Sequence, residues 1–385
     1  MTTTARGMLL NFASVFKQVG FIPNGGRLYY LNRSQPPLFT QMVQEYFTAT
    51  EDIQLVAELL PILDQEYLFW MENRVVQIQS PNYPGTHTLN LYNFTSTQPR
   101  PESYYEDYTG AKSMTEEQRI FYYSSLAAAA ESGMDFSTKW FASGSLNLSS
   151  IETINIVPVD LNSILYANEK TLSKFHSMFG NTSMSSYYSS QAAKRAEAMM
   201  DIMWSKVDYQ WYDYDLSTGS QRTQYFITNY MPLWAGLQNQ QPIGYFTQFV
   251  MDEIVKGMFS ISMDYVGGVP TSLVNSGQQW DFPYSWSPQQ YFIIEALFST
   301  NSSIGSDMAL DLIERWVQTN YCGWSSTISI QGGMMFEKYN VNEVGLPGGG
   351  GEYVVQDGFG WTNGVALYLL NSYGSKLKYS ACSSS

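Results

Sequence analysis

The sequence predicts an all-α protein in which successive helices are joined by long loops. Apolar residues recur at helical spacing in one segment after another, and the strand signal is confined to one short stretch. The loops are rich in glycine, proline and aromatic residues, and long ordered loops between helices usually carry function. A chain of 385 residues has room for two or three average domains, but a single large helical barrel fits equally well.

The first helix is predicted over residues 4–19, and a loop over residues 21–39 follows it. In that loop Asn24-Gly25-Gly26 indicates a turn, and Pro36-Pro37 delays the next helix. Residues 53–70 carry a clean apolar stripe, which Pro61 kinks or divides. We expect the whole stripe to lie in the core. Its members are Ile53, Val56, Leu60, Leu63, Tyr67 and Trp70.

A long loop is predicted over residues 82–108, and a well-marked helix follows it. Thr115 and Gln118 form a capping box at the start of this helix, and Gly133 ends it. Asp135 therefore lies just past the negative end of the helix dipole. That position raises a carboxyl pKa and favours the protonated form, which a general acid needs.

The second half of the chain continues with helices and one hairpin. Residues 208–226 alternate aromatic and polar side chains around Leu216–Gly219, which predicts a short β-hairpin. Ser287 and Pro288 are typical of the N-cap and first position of a helix that runs through Phe298. The remaining predicted helices are Asp160–Gly180, Gln191–Val207, Thr247–Phe259, Ser306–Asn320 and Thr362–Tyr373, the last closed by Gly374.

Composition excludes several classes of partner. The net charge is −14 and the lysines and arginines are scattered, which disfavours binding to nucleic acid or to an anionic membrane. No apolar run approaches the length of a membrane span. Charged residues make up only 14%, against about 25% in an average soluble domain. Aromatic residues make up 16%, and flat rings with polar edges are typical of sugar-binding subsites.

Cysteine and histidine are scarce and have no metal-ligand spacing. Cys322 and Cys382 form at most one disulfide, and His87 and His176 stand apart from them. The sequence therefore predicts neither a metal nor a cofactor. No signal peptide is evident at the N-terminus, and residues 376–385 form a polar tail without an anchor signal.

Five N-x-[ST] glycosylation sequons occur in the chain. Several glycosylation sequons arise by chance in a chain so rich in Asn and Ser, so they favour a secreted glycoprotein only weakly. The five sequons begin at Asn32, Asn93, Asn147, Asn181 and Asn301.

A glycine run, Gly348–Gly351, is the most unusual stretch of the chain. Four consecutive glycines lose much backbone entropy on folding, so a tight conformation or a close approach must require them. They are not a phosphate-binding loop, because Glu352 follows directly and no GxxxxGK[ST] pattern occurs. One carboxylate on such a loop, with aromatics after it, suits a base that faces a neutral polyhydroxylated substrate. A surface linker is the competing interpretation, against which the aromatic and Asn-containing continuation argues.

Paired carboxylates are the chemistry that remains, and glycoside hydrolysis needs such a pair. Asp135 and Glu352 are the first candidates, since both lie in glycine-flanked loops beside aromatics. Glu102 and Asp107 compete with them for these roles. Asp281 either accepts a sugar hydroxyl or bonds backbone amides of its own loop, and the two interpretations have equal weight. Glu131 is interpreted as a helix-end residue without a catalytic role.

Several motifs together resemble the trehalases, the inverting glycosidases that hydrolyse α,α-trehalose to two glucose molecules. The resemblance extends from about residue 4 to about residue 373. It rests on the segments IPNGGRLYYLNRSQPP, RPESY, ESGMDF with the following TKW, QQWDFPYSW and PGGGGEYVVQDGFGWTNG. The QWD-P-W and glycine-run segments match that family's signatures closely.

The resemblance implies an (α/α)6 barrel as a single catalytic domain over residues 1–385, with Asp135 as general acid and Glu352 as general base. On residue type alone, the Arg33 guanidinium suits either a sugar diol or a structural acid. The resemblance makes it a sugar contact. The implied substrate contacts are Asn24, Arg33, Ser34, Gln35, Arg100, Pro101, Glu102, Gly133 and Trp280.

The sequence departs from the trehalase pattern in several places. Met134 and Lys139 stand where trehalases commonly have Trp and Arg, and Tyr105 stands where they usually have Arg. Neither Tyr nor Lys replaces the planar donors of a guanidinium. The family's first signature, a PGGRF segment leading to a Trp-Asp pair, does not appear before Thr4. We therefore expect the barrel to lack its first helices.

Two hypotheses compete with an active trehalase. A chain without the first helices would expose apolar faces, so the first is a truncated and catalytically inactive trehalase-like protein. The second is a related (α/α)6 glycosidase that acts on another α-glucoside.

Overall fold

The computed structural model describes residues 1–240, 245–262, 264–351, 353–378 and 380–382. Helices dominate the described residues, as the sequence predicts. The α-helices are α1 (Thr2–Val19), α2 (Phe39–Thr50), α3 (Ile53–Asn73), α4 (Tyr104–Gly110), α5 (Glu116–Ser132), α6 (Val159–Met178), α7 (Thr182–Ile202), α8 (Met231–Trp234), α9 (Gln248–Ser262), α10 (Ser287–Ser299), α11 (Ser303–Gln331) and α12 (Gly360–Tyr373).

The strands are short. They are β1 (Val75–Gln79), β2 (Thr86–Asn90), β3 (Ile156–Val157), β4 (Trp204–Ser205), β5 (Gln210–Trp211), β6 (Tyr214–Asp215), β7 (Ser220–Gln221), β8 (Tyr284–Trp286) and β9 (Lys338–Asn340).

The chain divides into two compact units. The first unit comprises Met1–Met134, Leu148–Trp204 and Asp213–Arg222, and it contains α1 to α7. The second unit comprises Asp135–Asn147, Ser205–Tyr212 and Thr223–Ser385, and it contains α8 to α12. The boundary between Met134 and Asp135 places the candidate acid at the first residue of the second unit.

The core of the first unit forms around α3, α6 and α7. The apolar stripe of α3 is buried from Val56 to Trp70, which confirms the prediction for most of it. Ile53 is the exception, because it is 45% exposed at the first turn of the helix. Pro61 does not divide α3, which is continuous from Ile53 to Asn73.

Helix ends marked by caps are predicted well. The Thr115–Gln118 capping box is present, and Gly133 ends α5 with φ of 75°. Gly374 follows α12 as predicted. The cap signal between the helices predicted over Asp160–Gly180 and Gln191–Val207 was missed. The Asn181 side chain accepts a hydrogen bond from the Met184 N–H, so α7 begins well before the predicted Gln191.

Three other helices were predicted with wrong ends. Pro158, and not Asp160, is the N-cap of α6, and Asp160 lies inside the first turn. Trp286, and not Ser287, is the N-cap of α10. The helix predicted over Ser306–Asn320 extends over Ser303–Gln331.

Strands are more numerous than the sequence predicts. The predicted hairpin is present, because β6 and β7 pair antiparallel around Leu216–Gly219. However, β1 and β2 form a second antiparallel hairpin with Val75 opposite Asn90, and β2 lies inside the region 82–108 that was predicted as a loop. Its strands are only five residues long, and Leu89 is the one large apolar residue of β2, so their sequence carries a weak periodic signal.

In the second unit, β8 and β9 form an antiparallel ribbon in which Trp286 lies opposite Lys338. This ribbon supports the candidate site described below. A disulfide joins Cys322 of α11 to Cys382, as the sequence allowed. Within the described part of the chain, no helix is both long enough and apolar enough to cross a membrane.

Candidate active site

The loop that carries Asp135 is tied to the segment around Trp280. The side-chain amide of Gln279 donates a hydrogen bond to the Asp135 carbonyl oxygen, and the Trp280 N–H donates to the Phe136 carbonyl at 3.1 Å. Asp135 itself is partly exposed, while Phe136 after it is buried. Hydrogen bonds therefore fix the backbone carbonyl groups of Asp135 and Phe136. The side chain of Asp135 remains partly accessible.

Asp281 anchors the same loop from within the protein. It is fully buried and accepts from the Thr138 N–H at 2.8 Å, from the Ser137 hydroxyl at 2.9 Å and from the Ser272 hydroxyl at 2.8 Å. Burial raises the pKa of Asp281, and hydrogen bonds, including one from Ser276, act in the opposite direction. Of the two interpretations of Asp281, the structure supports the loop acid that bonds its own surroundings.

Aromatic rings surround this segment. Trp280 stacks on Trp286 with ring centroids 3.8 Å apart and planes 2° apart, and Trp361 packs edge-on against Trp286 at 5.8 Å. The Trp286 indole N–H donates to the Gln279 carbonyl at 2.9 Å. Trp280, predicted as a sugar contact, is thus held by stacking next to the loop of Asp135.

The glycine run packs too closely on its neighbours to allow side chains. A Cβ on Gly348 would lie 2.7 Å from Lys338 Cγ, and a Cβ on Gly351 would lie 2.6 Å from Gln279 Oε1. Gly350 and Gly351 also have φ of 68° and 79°, in the left-handed region that favours glycine. These close approaches explain the run and argue against a surface linker.

The Lys338 side chain packs against the glycine run. Its Nζ is 2.6 Å from Gln279 Oε1 and 3.4 Å from the Gly350 carbonyl oxygen. Burial lowers the pKa of Lys338 to about 8, although the carboxylates of Glu337 and Asp135 act in the opposite direction. Lys338 therefore connects the glycine run to the residue that holds Asp135.

Glu337 is a second carboxylate in this cluster, and sequence reasoning missed it. It is 1% exposed and accepts a hydrogen bond from the Tyr353 hydroxyl at 2.8 Å. Burial raises the pKa of Tyr353, and the hydrogen bond to Glu337 and the charges of Glu337 and Asp135 add to this effect. Both carboxylates thus influence the same tyrosine and the same lysine.

A signal for this cluster was present in the sequence. Glu337 and Lys338 form a charged pair between Phe336 and Tyr339, in a chain where charged residues are rare. The predicted base, Glu352, lies outside the described residues.

In the first unit, the predicted sugar contacts around Arg33 lie close together. The Arg33 guanidinium is buried, forms an ion pair with Glu102 and lies 3.4 Å from Asn24 Oδ1. Its Nε has no hydrogen-bond partner among the described residues. The Gln35 side chain approaches Gly133 so closely that a Cβ there would lie 3.3 Å from Gln35 Oε1.

Other predicted residues of the first unit make well-defined internal contacts. The Ser34 N–H donates to Glu131 Oε1 at 2.8 Å, and Arg74 pairs bidentately with the same buried carboxylate. Glu131 is therefore structural, in agreement with its interpretation as a residue without a catalytic role. Arg100 pairs bidentately with Asp107, and Pro101 begins the 3-10 turn Pro101–Ser103 that follows.

The described residues contain no group of three or more His, Cys, Asp or Glu side chains arranged to hold a metal ion. The side chains that the two clusters offer are carboxylates, guanidinium groups, one amine, amides and indole rings. Of these groups, a pair of carboxylates is what glycoside hydrolysis requires for acid–base chemistry.

Comparison with solved structures defines the fold. The fold matches neutral trehalase Nth1 from Saccharomyces cerevisiae with a TM-score of 0.72 and 22% identity, over 97% of this chain and 69% of that one. This match confirms the predicted all-α fold of the (α/α)6 barrel class.

The family follows from sequence comparison. The trehalase family profile matches residues 1–374, so the chain belongs to the trehalase family. It is 51% identical to the trehalase of Dictyostelium discoideum over 99% of its length and 42% identical to that of Apis mellifera over 98%. The chain spans 65% and 59% of the lengths of these two relatives.

Proposed function

We propose that this protein hydrolyses α,α-trehalose to two glucose molecules with inversion at the attacked carbon. Membership of the trehalase family supports this substrate. The observation that carries the proposal is one contact network with a carboxylate at each end. Tyr353 donates to Glu337 and lies 5.6 Å from Lys338 Nζ, and Gln279 bonds both Lys338 and the Asp135 carbonyl oxygen. An acid and a base in one cluster are the minimum that inverting hydrolysis requires.

Asp135 is proposed as the general acid. Its proton passes to the glycosidic oxygen as the bond from that oxygen to the anomeric carbon breaks. A water attacks the same carbon from the opposite face and gives its proton to the base, so one product is β-glucose and the other is α-glucose. The two carboxyl groups of an inverting enzyme lie about 6.5–9.5 Å apart to leave room for this water.

Two residues are candidates for the base. The family resemblance assigns this role to Glu352, which follows the glycine run. The contacts of the cluster favour Glu337, because its buried carboxylate accepts from the Tyr353 hydroxyl at 2.8 Å, and the Tyr353 ring lies 5.6 Å from Lys338 Nζ. One set of variants distinguishes the two assignments.

Sugar contacts are proposed for the residues that the resemblance implies. Arg33 is well suited to this role, because its buried guanidinium has an Nε without a hydrogen-bond partner among the described residues. Trp280 offers an indole ring already fixed by stacking, which is suited to packing on a pyranose face. The remaining proposed contacts are Asn24, Ser34, Gln35, Arg100, Pro101, Glu102 and Gly133.

The test compares Asp135→Asn, Glu337→Gln and Glu352→Gln on two substrates, trehalose and α-glucosyl fluoride. Fluoride leaves without protonation, so the acid variant should lose trehalose hydrolysis and keep hydrolysis of the fluoride. The base variant should lose both, because activation of the water is still needed. NMR before mutarotation should show β-glucose from the fluoride and equal amounts of α- and β-glucose from trehalose.

Several outcomes would contradict the proposal. Glucose release from maltose but not from trehalose by the wild-type protein would indicate a different α-glucosidase. No release from either substrate would favour an inactive trehalase-like protein. Near wild-type kcat on trehalose in Asp135→Asn would remove the acid assignment. Glu131→Gln is a poor control because it breaks a buried ion pair, so an exposed carboxylate such as Glu72 serves better.

A further inference from the structure

Lys338 is a buried cation at the centre of the candidate site. Its side chain is enclosed by the rings of Trp286, Tyr353 and Tyr284, whose centroids lie 5.0, 5.6 and 5.8 Å from Nζ. The residue is 0% exposed. Burying an ammonium group is costly in free energy, so its contacts must offset that cost.

The first contact of Lys338 fixes the orientation of the Gln279 amide. An ammonium group only donates hydrogen bonds, so Gln279 must present its oxygen to Lys338, at 2.6 Å. The amide nitrogen is then directed to the carbonyl oxygen of Asp135, to which it donates. Gln279 thereby links Lys338 to the backbone of Asp135, the candidate acid. Gln279 and Asp135 are 144 residues apart in the sequence.

The second contact of Lys338 is with the glycine run. Nζ lies 3.4 Å from the Gly350 carbonyl oxygen, and the Lys338 carbonyl accepts from the Gly348 N–H at 2.9 Å. The absence of a Cβ at Gly348 allows the run to lie directly on the lysine side chain. One residue thus contacts both the run that leads to Glu352 and the amide that holds Asp135.

We propose that Lys338 is a positioning residue that acts through Gln279 to hold Asp135 and the glycine run in one fixed arrangement. The role in turnover rests on the proposed trehalase function. Neither Lys338 nor Gln279 needs to touch the substrate. Their effect on the reaction is the placement of the acid relative to the bond that breaks.

The charged and titratable groups around Lys338 determine how this arrangement depends on pH. They are Glu337, Asp135, Tyr353 and Tyr284. Because burial lowers the pKa of Lys338 to about 8, the side chain is protonated below that pH and loses its charge above it. The contacts to Gln279 and Gly350 therefore weaken as the pH rises through about 8, and kcat should fall there.

The test uses Lys338→Met and Gln279→Glu, with Lys256→Met as the matched control at an exposed lysine. Glu at position 279 is isosteric and still accepts from Lys338, but its carboxylate cannot donate to the Asp135 carbonyl. We expect kcat on trehalose to fall on the order of 100-fold in both variants, with a much smaller change in KM. The fall in kcat above about pH 8 should be absent in Lys338→Met.

Hydrogen exchange of the folded proteins gives a readout independent of turnover. Residues 348–351 should exchange faster in Lys338→Met than in wild type, and at the wild-type rate in Gln279→Glu, which keeps the lysine.

If the wild type does not hydrolyse trehalose, the proposed function fails while this exchange pattern still tests Lys338. Wild-type kcat in Gln279→Glu, or unchanged exchange in a folded Lys338→Met, would overturn the proposal. If Lys338→Met does not fold, the kcat of Gln279→Glu on trehalose tests the proposal by itself.

Discussion

Asp281 illustrates how one buried carboxylate can organise a loop. Its two oxygens accept from Ser276 at 2.5 Å and from both the backbone and the hydroxyl of Thr138, at 2.8 and 3.0 Å. Hydroxyl groups can rotate to meet a changed partner, whereas the Thr138 N–H has a fixed direction. Asp281 thus acts by fixing the loop that contains Thr138.

We predict that Asp281→Asn lowers the free energy of unfolding by about 1–3 kcal/mol, because the new amide NH₂ faces buried donors. Urea denaturation should show a lower midpoint at an unchanged m-value. Activity should fall as well, since Thr138 follows Asp135 by three residues. Unchanged stability would mean that the observed hydrogen bonds contribute little. An exposed aspartate changed in the same way, such as Asp357, is the control.

Gly351 gives a second prediction for a single residue. In Gly351→Ala, the Cβ meets Gln279 Oε1 at 2.6 Å and the left-handed conformation costs about 1–2 kcal/mol. We expect a loss of activity and a small loss of thermal stability. The matched control is Gly364→Ala in α12, where a Cβ meets no atom within 4 Å. That change should stabilise the protein by about 0.5–1 kcal/mol. Equal effects of the two changes would contradict the explanation of the glycine run.

At the scale of elements, α5 begins at the Thr115 capping box and ends at Gly133, two residues before the candidate acid Asp135. Thr115 accepts from the Gln118 N–H, and the Gln118 side chain accepts from the Thr115 N–H at 2.9 Å. Both bonds satisfy donors that the first turn of a helix leaves unpaired. The interior of α5, including its alanine run, is buried up to Ser132.

We predict that Thr115→Ala lowers the free energy of unfolding by about 1 kcal/mol, because the N-terminal cap is lost. Since Asp135 lies beyond the opposite end of the helix, KM and kcat should stay at their wild-type values. Thermal unfolding and trehalose kinetics measure the two quantities. Thr115→Ser keeps the hydroxyl and should retain most of the stability. A kinetic defect in Thr115→Ala would show that the start of α5 affects the site.

Elements differed in how far the sequence predicted them. The ends of α5 and α12 were predicted because their cap residues act locally. The β8–β9 ribbon was missed because its strands lie far apart in sequence and neither alternates clearly. Strand pairing is a long-range property, so short strands carry little local signal.

At the scale of the whole molecule, the Cys322–Cys382 disulfide closes a loop of 60 residues in the second unit. The chain before Cys382 is also held by the Lys378 N–H, which donates to Glu314 at 3.0 Å. A cross-link of this length lowers the entropy of the unfolded chain.

We predict that reduction of the disulfide lowers the free energy of unfolding by about 2–4 kcal/mol. Calorimetry with and without a reductant should show a lower Tm for the reduced wild type. The double variant Cys322→Ser, Cys382→Ser should have the low Tm in both conditions. If the reductant also lowered the Tm of the double variant, the effect would not come from this bond.

The sequence by itself determined the helical class, the capped ends of α5, the end of α12, the single possible disulfide and the choice of Asp135 as a candidate acid. These follow from local patterns, from composition and from motifs that resemble the trehalases. Only the tertiary structure decided that Asp281 is an internal anchor and that Glu337, Lys338 and Gln279 gather around Asp135. The physical reason is that burial and hydrogen-bond partners, which set the role of a charged side chain, arise from contacts between residues far apart in the sequence.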